Sequence, residues 1–282
     1  MFDQYNSTIK MENRLQIFGG KGFVGSEFIN QYKDCIVNGR NDYEVKSSNI
    51  LYLISTVTNY NVLTDPYVDI ETNLITLMKV LSQCQNKNVI FNFVSSWFVY
   101  GNTDLPAKED SICKPTGFYS ITKKTAEDLL ISYSRIFNIN YRILRLANVI
   151  GKGDSKASSK KNALQYLINQ LKKHEPIQLY NNGQMYRDYI HVSDAAKAIN
   201  LIVSTGDLNT VYNVGNGRPV KFCEIIDYAV TKTKSRSIIT SVQPPDFHKV
   251  VQVDSMYMDT KKLTRLGYSP KLSIQQAVDD MI

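Results

Sequence analysis

A tyrosine and a lysine four residues apart are the side chains of this sequence best suited to acid–base chemistry. They are Tyr119 and Lys123, in the run YSITK. Positions i and i+4 are neighbours on one face of a helix, and a lysine ammonium there stabilises a phenolate whose free pKa is about 10. The pair therefore predicts a proton-exchanging tyrosine. An ordinary helical tyrosine with a solvent-facing lysine is the alternative.

A serine at the end of a long apolar run supplies a second hydroxyl. Ser95 and Ser96 lie in the sequence VSSWFVYG and directly follow an apolar run at residues 89–94. A hydroxyl at this place would hydrogen-bond the reacting oxygen and share its proton with Tyr119. The alternative is that both serines only cap the strand.

A glycine-rich turn lies near the start of the chain. The run GGKGFVG, residues 19–25, follows an apolar segment at residues 15–18 and opens a segment of helical pattern. Such glycines permit a tight bend, a close approach to a pyrophosphate and a helix–strand crossing, and they place phosphate oxygens on the amides of a helix N-terminus. We therefore expect a dinucleotide to bind at Gly19, Gly22, Phe23, Val24 and Gly25.

The elements that position these residues alternate between strand and helix. Apolar, β-branched and aromatic runs predict strands at residues 15–18, 35–37, 50–54, 89–94 and 141–146. Helical periodicity is clearest at residues 25–32, 69–83 and 119–137. The alternation predicts an α/β fold with a doubly wound parallel sheet, which binds ligands at the carboxyl ends of its strands.

From residue 151 the pattern changes to shorter units. They are a helix at residues 162–172, strands at 177–180 and 211–214, and a final helix at 273–281. We expect a dinucleotide-binding domain at residues 13–150, with later segments returning to it, and mainly a substrate-binding lobe at 151–282.

The second crossover of the sheet is expected to be truncated. Only about ten residues separate the strand that ends near Asn38 from the strand that begins at Ile50, whereas a crossover helix plus strand needs a dozen or more. The adenine pocket should therefore be shallow or built from other segments.

Together the glycine turn, Ser96, Tyr119 and Lys123 resemble the extended short-chain dehydrogenase/reductase family, the NAD(P)-dependent nucleotide-sugar epimerases, dehydratases and reductases. The resemblance implies a Rossmann domain with NADP or NAD as cofactor. It also implies that Tyr119 exchanges a proton with a sugar hydroxyl or ketone while hydride moves to or from the nicotinamide. The family places its catalytic serine or threonine four residues before the tyrosine of VYG, here Tyr100, which assigns the role to Ser96 rather than Ser95.

The two residues after Ser96 distinguish among the reactions of this family. In its 4,6-dehydratases they are Asp and Glu, the acid and base that eliminate water. Here they are Trp97 and Phe98, and neither side chain donates or accepts the required proton. This favours redox chemistry at C4 without elimination, with Trp97 among the residues that contact the substrate.

The same resemblance implies further binding residues. Asn148 in LRLANVIG would hydrogen-bond the substrate, and Arg187 in RDYIHVSD would grip its diphosphate with paired donors. A salt bridge of Arg187 with Asp188 or Asp194 is the alternative. Lys249 is the best match to the family's second arginine. The remaining expected cofactor contacts, beside the nicotinamide end or after the strand at residues 50–54, are Asn73, Ser55 and Thr56.

The choice between the two cofactors is expected at the end of the second strand. An acidic residue there accepts hydrogen bonds from the ribose of NAD, whereas a nearby arginine accommodates the 2′-phosphate of NADP. The local sequence IVNGRND offers Asn38 and Arg40, with Asp42 a few residues late. This favours NADPH. The alternative is that Asn38 and Gly39 only make a turn.

Composition sets limits on partners and location. The chain has 33 basic and 26 acidic residues, a net charge of +7, which would attract a nucleotide diphosphate. A solvated, lysine-rich surface explains the charge equally well, and we do not expect a nucleic-acid partner. The four cysteines and three histidines have no spacing typical of a disulfide framework or a metal site. Without a signal peptide or a spanning segment, a cytoplasmic protein is expected.

These features predict an NAD(P)-dependent enzyme that moves hydride at C4 of a nucleotide-activated sugar. A 4-ketoreductase is favoured, because a shallow adenosine grip suits cofactor exchange at each turnover, and a 4-epimerase is the alternative. A non-catalytic dinucleotide- or nucleic-acid-binding regulator on the same fold would not need Ser96, Tyr119 and Lys123 together. The predicted helices at 69–83 and 119–137 are apolar over a wide arc, which predicts a homodimer through outward positions such as Leu77 and Ile136.

Overall fold

The strands follow the predicted order closely. A computed structural model describes residues 11–85, 87–154, 158 and 161–282. Within them the strands are β1 (Leu15–Phe18), β2 (Cys35–Val37), β3 (Asn49–Tyr52), β4 (Ile90–Ser96), β5 (Asn140–Leu146), β6 (Asn148–Ile150), β7 (Ile177–Tyr180), β8 (Tyr186–Arg187), β9 (Tyr189–His191), β10 (Thr210–Val214), β11 (Val220–Lys221) and β12 (Ile239–Val242).

The helices cover the segments of helical period. They are α1 (Phe23–Gln31), α2 (Tyr67–Ile70), α3 (Thr76–Leu81), α4 (Phe118–Phe137), α5 (Ala163–Lys172), α6 (Val192–Thr205), α7 (Phe222–Thr233), α8 (Asp246–Val251), α9 (Lys261–Arg265) and α10 (Ile274–Met281). A π-helical turn, Glu71–Ile75, joins α2 to α3. None of the helices described is both long and apolar enough to cross a membrane.

Six of the described strands form one parallel sheet in the order β10-β5-β4-β3-β1-β2. Successive side chains of a strand point to opposite faces of the sheet, and here both faces are covered. Ile17 and Leu51 belong to the apolar cluster under α1 and α6, whereas Phe18 and Ile50 belong to the cluster under α3 and α4. This double burial explains why β1, β3 and β4 read as nearly continuous apolar runs.

The second crossover is truncated, as the chain length between β2 and β3 predicts. Residues 38–48, all of them described, form no helix, and a single bridge pairs Glu12 with Ser47. The side chain of Gln16 holds this segment in place, since its amide donates to Asn38 Oδ1 at 2.7 Å and its oxygen accepts from the Lys46 amide at 2.8 Å.

The later part of the chain forms a lobe with its own apolar cluster and also adds one strand to the central sheet. Strand pairs β6–β9 and β7–β12 and helices α5, α7 and α10 surround a third apolar cluster that includes Ile150, Ile168, Ile226 and Val278. The strand predicted at residues 211–214, by contrast, does not lie in this lobe. As β10 it pairs in parallel with β5 and forms the edge of the central sheet, and Tyr100 anchors it by donating to Asn213 at 2.6 Å.

The outer faces of α3 and α4 differ from the sequence expectation at one position. Leu77 is 0% exposed and packs into the core, whereas Ile136 is 69% exposed. The π-helical turn before α3 shifts the register of the following side chains, so a uniform helical period assigns Leu77 to the wrong face.

Candidate active site

A cavity of about 1170 Å³ opens at the carboxyl ends of β1, β3 and β4. Its central wall contains the glycine turn, the residues after β3 and the end of β4, together with Tyr119 and Lys123 on α4. The opposite wall comes from the lobe and includes Asn148, Arg187 and His248. The position agrees with the general rule that ligands of open α/β sheets bind beyond the carboxyl ends of the strands.

The glycine turn has the shape that a dinucleotide pyrophosphate requires. Gly19 has a φ of +86°, and a Cβ there would lie 2.9 Å from the Ile54 amide nitrogen. A Cβ on Gly25 would lie 2.7 Å from the Gly19 carbonyl oxygen. Gly22 immediately precedes α1, whose first amide groups have no partners within the helix. Gly19, Gly22, Phe23, Val24 and Gly25 all line the cavity, so the residues present fit a bound dinucleotide.

Tyr119 is buried at the first turn of α4 and its side chain lines the cavity. Burial raises the pKa of its phenol, hydrogen bonds with Ser96 and Ser55 lower that pKa, and the charge of Asp69 raises it again. The net direction is upward. The phenol is therefore protonated at neutral pH and is able to donate its proton to an oxygen in the cavity.

The structure places Ser96, rather than Ser95, beside the tyrosine. Ser96 is the residue before a 3₁₀ turn at Trp97–Tyr100, and its Oγ accepts from the Phe98 amide at 3.3 Å. Ser95 is buried, and its Oγ has no hydrogen-bond partner among the residues described. The alternation of side chains along β4 explains the difference, because successive residues face opposite sides of the sheet.

Lys123 lies at the same edge of the sheet but does not bond to Tyr119 in the described structure. Its Nζ donates to the Val94 carbonyl at 2.7 Å and lies 4.1 Å from the centroid of the Phe93 ring. Burial lowers the lysine pKa to about 7, and the charge of Glu127 opposes this shift. The burial of Lys123 and the nearby Glu127 carboxylate therefore determine how much of the lysine is charged near neutral pH.

A buried ion pair lies one helical turn beyond Lys123. The Arg145 guanidinium donates to both carboxylate oxygens of Glu127, at 3.1 and 2.7 Å. The two side chains are 6% and 1% exposed. The pair fixes α4 to β5, and its carboxylate supplies the negative charge nearest to Lys123 on the helix.

A hydrogen-bonded network joins the segment after β3 to the π-helical turn. Asn73 Oδ1 accepts from the Thr56 amide at 2.9 Å and from Ser55 Oγ at 3.0 Å. Asn73 Nδ2 donates to Thr56 Oγ1 at 2.8 Å and to Thr122 Oγ1 at 2.9 Å. Asp69 accepts from Thr56 as well. Sequence reasoning identified Asn73, Ser55 and Thr56 but not Asp69 or Thr122, for which no motif gives a signal.

The network assigns different tasks to its members. Ser55 and Thr56 line the cavity, whereas Asn73 is buried behind them and is not among the described lining residues. All the hydrogen bonds of its amide are directed at protein groups. Asn73 thus holds the segment after β3 from behind, and its expected contact with the cofactor stays a prediction.

Two of the expected substrate residues lie on the lobe side of the cavity. Asn148 lines it, and Nδ2 donates to the Asp188 carbonyl at 3.0 Å. The Arg187 guanidinium donates to the carbonyls of Val253 at 2.8 Å and Tyr186 at 2.9 Å. No salt bridge of Arg187 is formed among the described residues, because Asp188 accepts instead from the Asn216 and Gly217 amides.

Lys249 is not brought to the cavity. Its Nζ pairs with Asp246 at 2.9 Å on the outer side of α8. Successive residues of a helix diverge by about 100°, and the preceding residue, His248, faces the cavity instead. His248 Nδ1 lies 2.6 Å from the hydroxyl of Tyr60.

The residues expected to choose the cofactor are also displaced. Asn38 is buried, and its amide donates to the carbonyls of Asp42 and Glu44, both at 3.2 Å. Arg40 is exposed, and neither residue is among the described lining residues of the cavity. Because the truncated crossover has no strand beside β2, Asn38 is needed to close the loop. Lys21 of the glycine turn, which sequence reasoning did not single out, does line the cavity.

Comparison with known proteins gives a consistent result. Residues 43–215 match the model of a family described as the NAD dependent epimerase/dehydratase family. The chain is 24% identical over 185 residues to dTDP-4-dehydro-6-deoxyglucose reductase of Escherichia coli, a match that covers 65% of this chain and 57% of that protein.

Solved structures resemble the whole fold. UDP-glucose 4-epimerase of Thermotoga maritima, solved with UDP-glucose, superposes with a TM-score of 0.84 at 20% identity and covers 95% of this chain and 97% of its own. RMD of Pseudomonas aeruginosa, solved with NADPH, superposes with a TM-score of 0.83 at 20% identity, with coverage of 96% and 97%.

Proposed function

Because the chain belongs to the NAD dependent epimerase/dehydratase family, and is an enzyme that uses NAD or NADP, we propose that it reduces a ketone at C4 of a nucleotide-activated sugar. One observation carries the proposal. The glycine turn, the Tyr119 hydroxyl with its Ser96 and Ser55 partners, and the Arg187 guanidinium all line a single cavity. A dinucleotide and a diphosphate-linked sugar would therefore meet at the phenol.

Each side chain has a task in this reaction. The nicotinamide cofactor, when bound, supplies the hydride. Tyr119 donates a proton to the C4 oxygen, and Ser96 holds that oxygen by a hydrogen bond. The Lys123 ammonium stabilises the phenolate that remains, at the pH values where it is charged. Arg187 and Asn148 hold the diphosphate and the sugar, and the amides after Gly22 hold the pyrophosphate of the cofactor.

The structure supports a reductase over an epimerase in two ways. The loop at residues 38–48 is truncated, and Asn38 and Arg40 lie outside the described lining of the cavity. A loosely held adenosine suits a cofactor that leaves at each turnover. The raised pKa of Tyr119 suits a residue that begins the reaction as an acid. Trp97 and Phe98 at the end of β4 offer no acid or base for an elimination.

A 4-epimerase is the second candidate, and the similarity to the Thermotoga maritima epimerase fold supports it. NADPH absorbance at 340 nm separates the two. A reductase consumes one NADPH or NADH for each molecule of a nucleotide 4-ketosugar, across UDP, dTDP, GDP and CDP substrates. An epimerase interconverts the two C4 epimers with no net change in absorbance. If neither the cofactor nor any of these substrates is consumed, the result would contradict both the reductase and the epimerase. It would favour a non-catalytic dinucleotide-binding regulator.

A further inference from the structure

A buried asparagine joins the lobe helix α8 to the start of α4, the helix that carries Tyr119. Asn59, in the loop after β3, is 1% exposed. Its Nδ2 donates to the Val251 carbonyl at 3.2 Å, and its Oδ1 accepts from the Ser120 amide at 3.3 Å. Val251 is the last residue of α8, and Ser120 directly follows Tyr119. One side chain therefore connects the two walls of the cavity.

The first turn of α4 is capped by this asparagine rather than by its own N-cap residue. That residue is Gly117, which has no side chain to accept from the first amides of the helix, and these amides have no partners within the helix. A Cβ at Gly117 would clash with Asn59 Oδ1, so only a glycine admits the asparagine here. Asn59 thus does the work of an N-cap side chain at the turn that carries Tyr119.

The next residue of the same loop holds α8 at a second point. The Tyr60 hydroxyl lies 2.6 Å from His248 Nδ1, and the Tyr60 ring lies 5.3 Å from the ring of Phe247. Asn59, Tyr60 and His248 all line the cavity. Two adjacent loop residues therefore fix α8 to the domain that contains the central sheet.

The segment that follows α8 is held by Arg187. The guanidinium donates to the carbonyls of Val253 at 2.8 Å and Asp254 at 2.5 Å, which lie within three residues of Val251. In the proposed function the same guanidinium holds the diphosphate of the substrate. A ligand at Arg187 therefore acts on the segment whose next fixed point is the bond from Asn59, and hydrogen bonds and backbone lead without a gap from the guanidinium to the start of α4.

We propose that Asn59 is a positioning residue that couples diphosphate binding at Arg187 to the first turn of α4 and so to the position of Tyr119. The proposal rests on the proposed function. The proton and hydride transfers at C4 are unchanged, and Asn59 makes no bond to the reacting atoms. A coupling of this kind uses the binding of a remote part of the substrate to orient the group that reacts. Because an intermediate location does not itself demonstrate coupling, the response of α4 has to be measured directly.

Hydrogen–deuterium exchange of the full chain measures this response. NADPH or NADH first fills the cofactor site, and the probes are then UDP, dTDP, GDP and CDP, which lack the sugar that would reach Tyr119. Calorimetry identifies the nucleotides that bind. Saturation should slow amide exchange at residues 117–123 by roughly 2- to 13-fold, the effect of one hydrogen bond. Unchanged exchange in the saturated protein would overturn the coupling but leave the proposed function intact. Binding of none of the four nucleotides would instead contradict the proposed function, in which Arg187 holds a diphosphate.

Two substitutions test the role of Asn59 itself. Asn59→Asp keeps an acceptor for the Ser120 amide, at a helix N-terminus that favours a carboxylate, but removes the donor to the Val251 carbonyl. Asn59→Ser is too short to reach both partners and introduces no buried charge. Both variants should still bind the nucleotide and should lose most of the slowing. A parental response in either variant would refute the role of Asn59, and loss of nucleotide binding in both would make it a binding residue instead.

Asn209→Asp is the matched control. Asn209 also bridges two groups, since its Oδ1 accepts from the Tyr141 amide and its Nδ2 donates to Asn140, both at 3.1 Å, and it lies outside the described lining of the cavity. This variant should keep the full parental response. Bound and unbound protein are compared within each variant, so a lower stability alone does not remove the response. Equal loss in Asn209→Asp and Asn59→Asp would show that the effect is not specific to Asn59 and would overturn the proposal.

Discussion

The Tyr119 end of the cavity and the loop that follows β2, which lies outside the described lining of the cavity, differ in what their polar side chains do. At the Tyr119 end, buried groups bond to one another and leave selected atoms facing the cavity, as Asn73 does when it holds Ser55 and Thr56. Beside β2, the polar group nearest the expected ribose, Asn38, is used to close its own loop. The polar groups at the Tyr119 end are thus organised before any ligand arrives, whereas the polar groups after β2 stabilise their own loop.

The difference has a chemical consequence. Preorganised donors at the reacting atoms lower the barrier because they need no rearrangement during the reaction, and fully satisfied buried networks also rigidify the site. In general, a cofactor held by few directed contacts binds less firmly and dissociates more readily after the reaction. The buried polar network therefore surrounds Tyr119, and this distribution is the one that the proposed reductase requires.

The largest expected effect concerns the buried ion pair that anchors the Tyr119 end. Glu127→Gln leaves the Arg145 charge uncompensated, and breaking such a pair costs about 3–5 kcal/mol. Asp128→Asn is the control at the next position, where an exposed pair with Lys124 contributes less than about 1 kcal/mol. Urea denaturation of both variants measures the free energies of unfolding. Equal losses in the two variants would show that the pair does not anchor α4.

The second effect is the loss of the proton donor. Tyr119→Phe should lower kcat by about 100-fold or more, because it removes the transferred proton, while the Kd for NADPH stays nearly constant. Tyr133→Phe removes another buried hydroxyl from the same helix, outside the described lining of the cavity, and should leave kcat near the parent value. The assignment of Tyr119 fails if its variant keeps more than about half of the parent kcat on the true substrate.

The third effect is a pH dependence set by Lys123. Burial lowers its pKa to about 7, so the ammonium is present below that pH and lost above it. If this charge stabilises the reacting phenolate, kcat/KM should fall about tenfold per pH unit above 7. Glu127 raises the lysine pKa, and so Glu127→Gln should move this descending limb to lower pH. A profile that is flat between pH 6 and 9 would separate Lys123 from the chemistry.

The Tyr119 end was largely predictable from the sequence because its geometry is local. The four-residue spacing of Tyr119 and Lys123 fixes their shared helix face, and the family resemblance, counted four residues back from Tyr100, assigns the role to Ser96 rather than Ser95. The central sheet was predictable for a similar reason, since strands buried on both faces form continuous apolar runs. Even the missing crossover follows from counting residues between Asn38 and Ile50.

The other residues depended on contacts that no local pattern contains. Asn38 turns inward because Gln16, 22 positions earlier, donates to it. Lys249 turns outward because the short helix α8 directs His248 to the cavity. The π-helical turn shifts the face that Leu77 occupies. Each outcome is decided by tertiary packing, which a motif match does not include.

The fourth prediction tests which basic residue contacts the phosphates of the cofactor. Sequence reasoning assigns the NADP phosphate to Arg40, but Arg40 lies outside the described lining of the cavity, whereas Lys21 of the glycine turn is one of the basic residues that line it. Lys21→Ala should weaken NADPH binding by about tenfold, the lower range for a charged hydrogen bond, and Arg40→Ala should have less effect. Fluorescence titration with NADPH and NADH distinguishes the sites. Selective loss of NADPH affinity places the 2′-phosphate at Lys21, equal loss for both cofactors places the pyrophosphate there, and a larger effect of Arg40→Ala restores the sequence assignment.

The smallest effect on activity is expected from the outer face of α4, which carries the Tyr119 end on its inner face. Several apolar side chains around this face are exposed: Ile75, Ile121, Leu129 and Ile136. Such a patch favours burial against a second copy of the chain, and we predict a homodimer. Ile136→Asp should split it, while kcat changes by less than about twofold, because 17 residues of helix separate position 136 from Tyr119, about 25 Å.

Light scattering at micromolar concentration checks the dimer, with a chain mass of 32.1 kDa as the reference. Ile238→Asp is the matched control, since Ile238 is exposed to 67%, nearly as much as Ile136 at 69%, but precedes β12 in the lobe. It should leave the dimer intact.

Leu77→Asp, by contrast, should unfold the protein rather than split the dimer, because Leu77 is fully buried and a charge there has no partner. A parent protein with the mass of one chain would refute the dimer, and dissociation by both isoleucine variants would place the interface elsewhere. Ile136→Asp dissociation with a large loss of kcat would show that the rigidity of the Tyr119 end depends on the partner subunit.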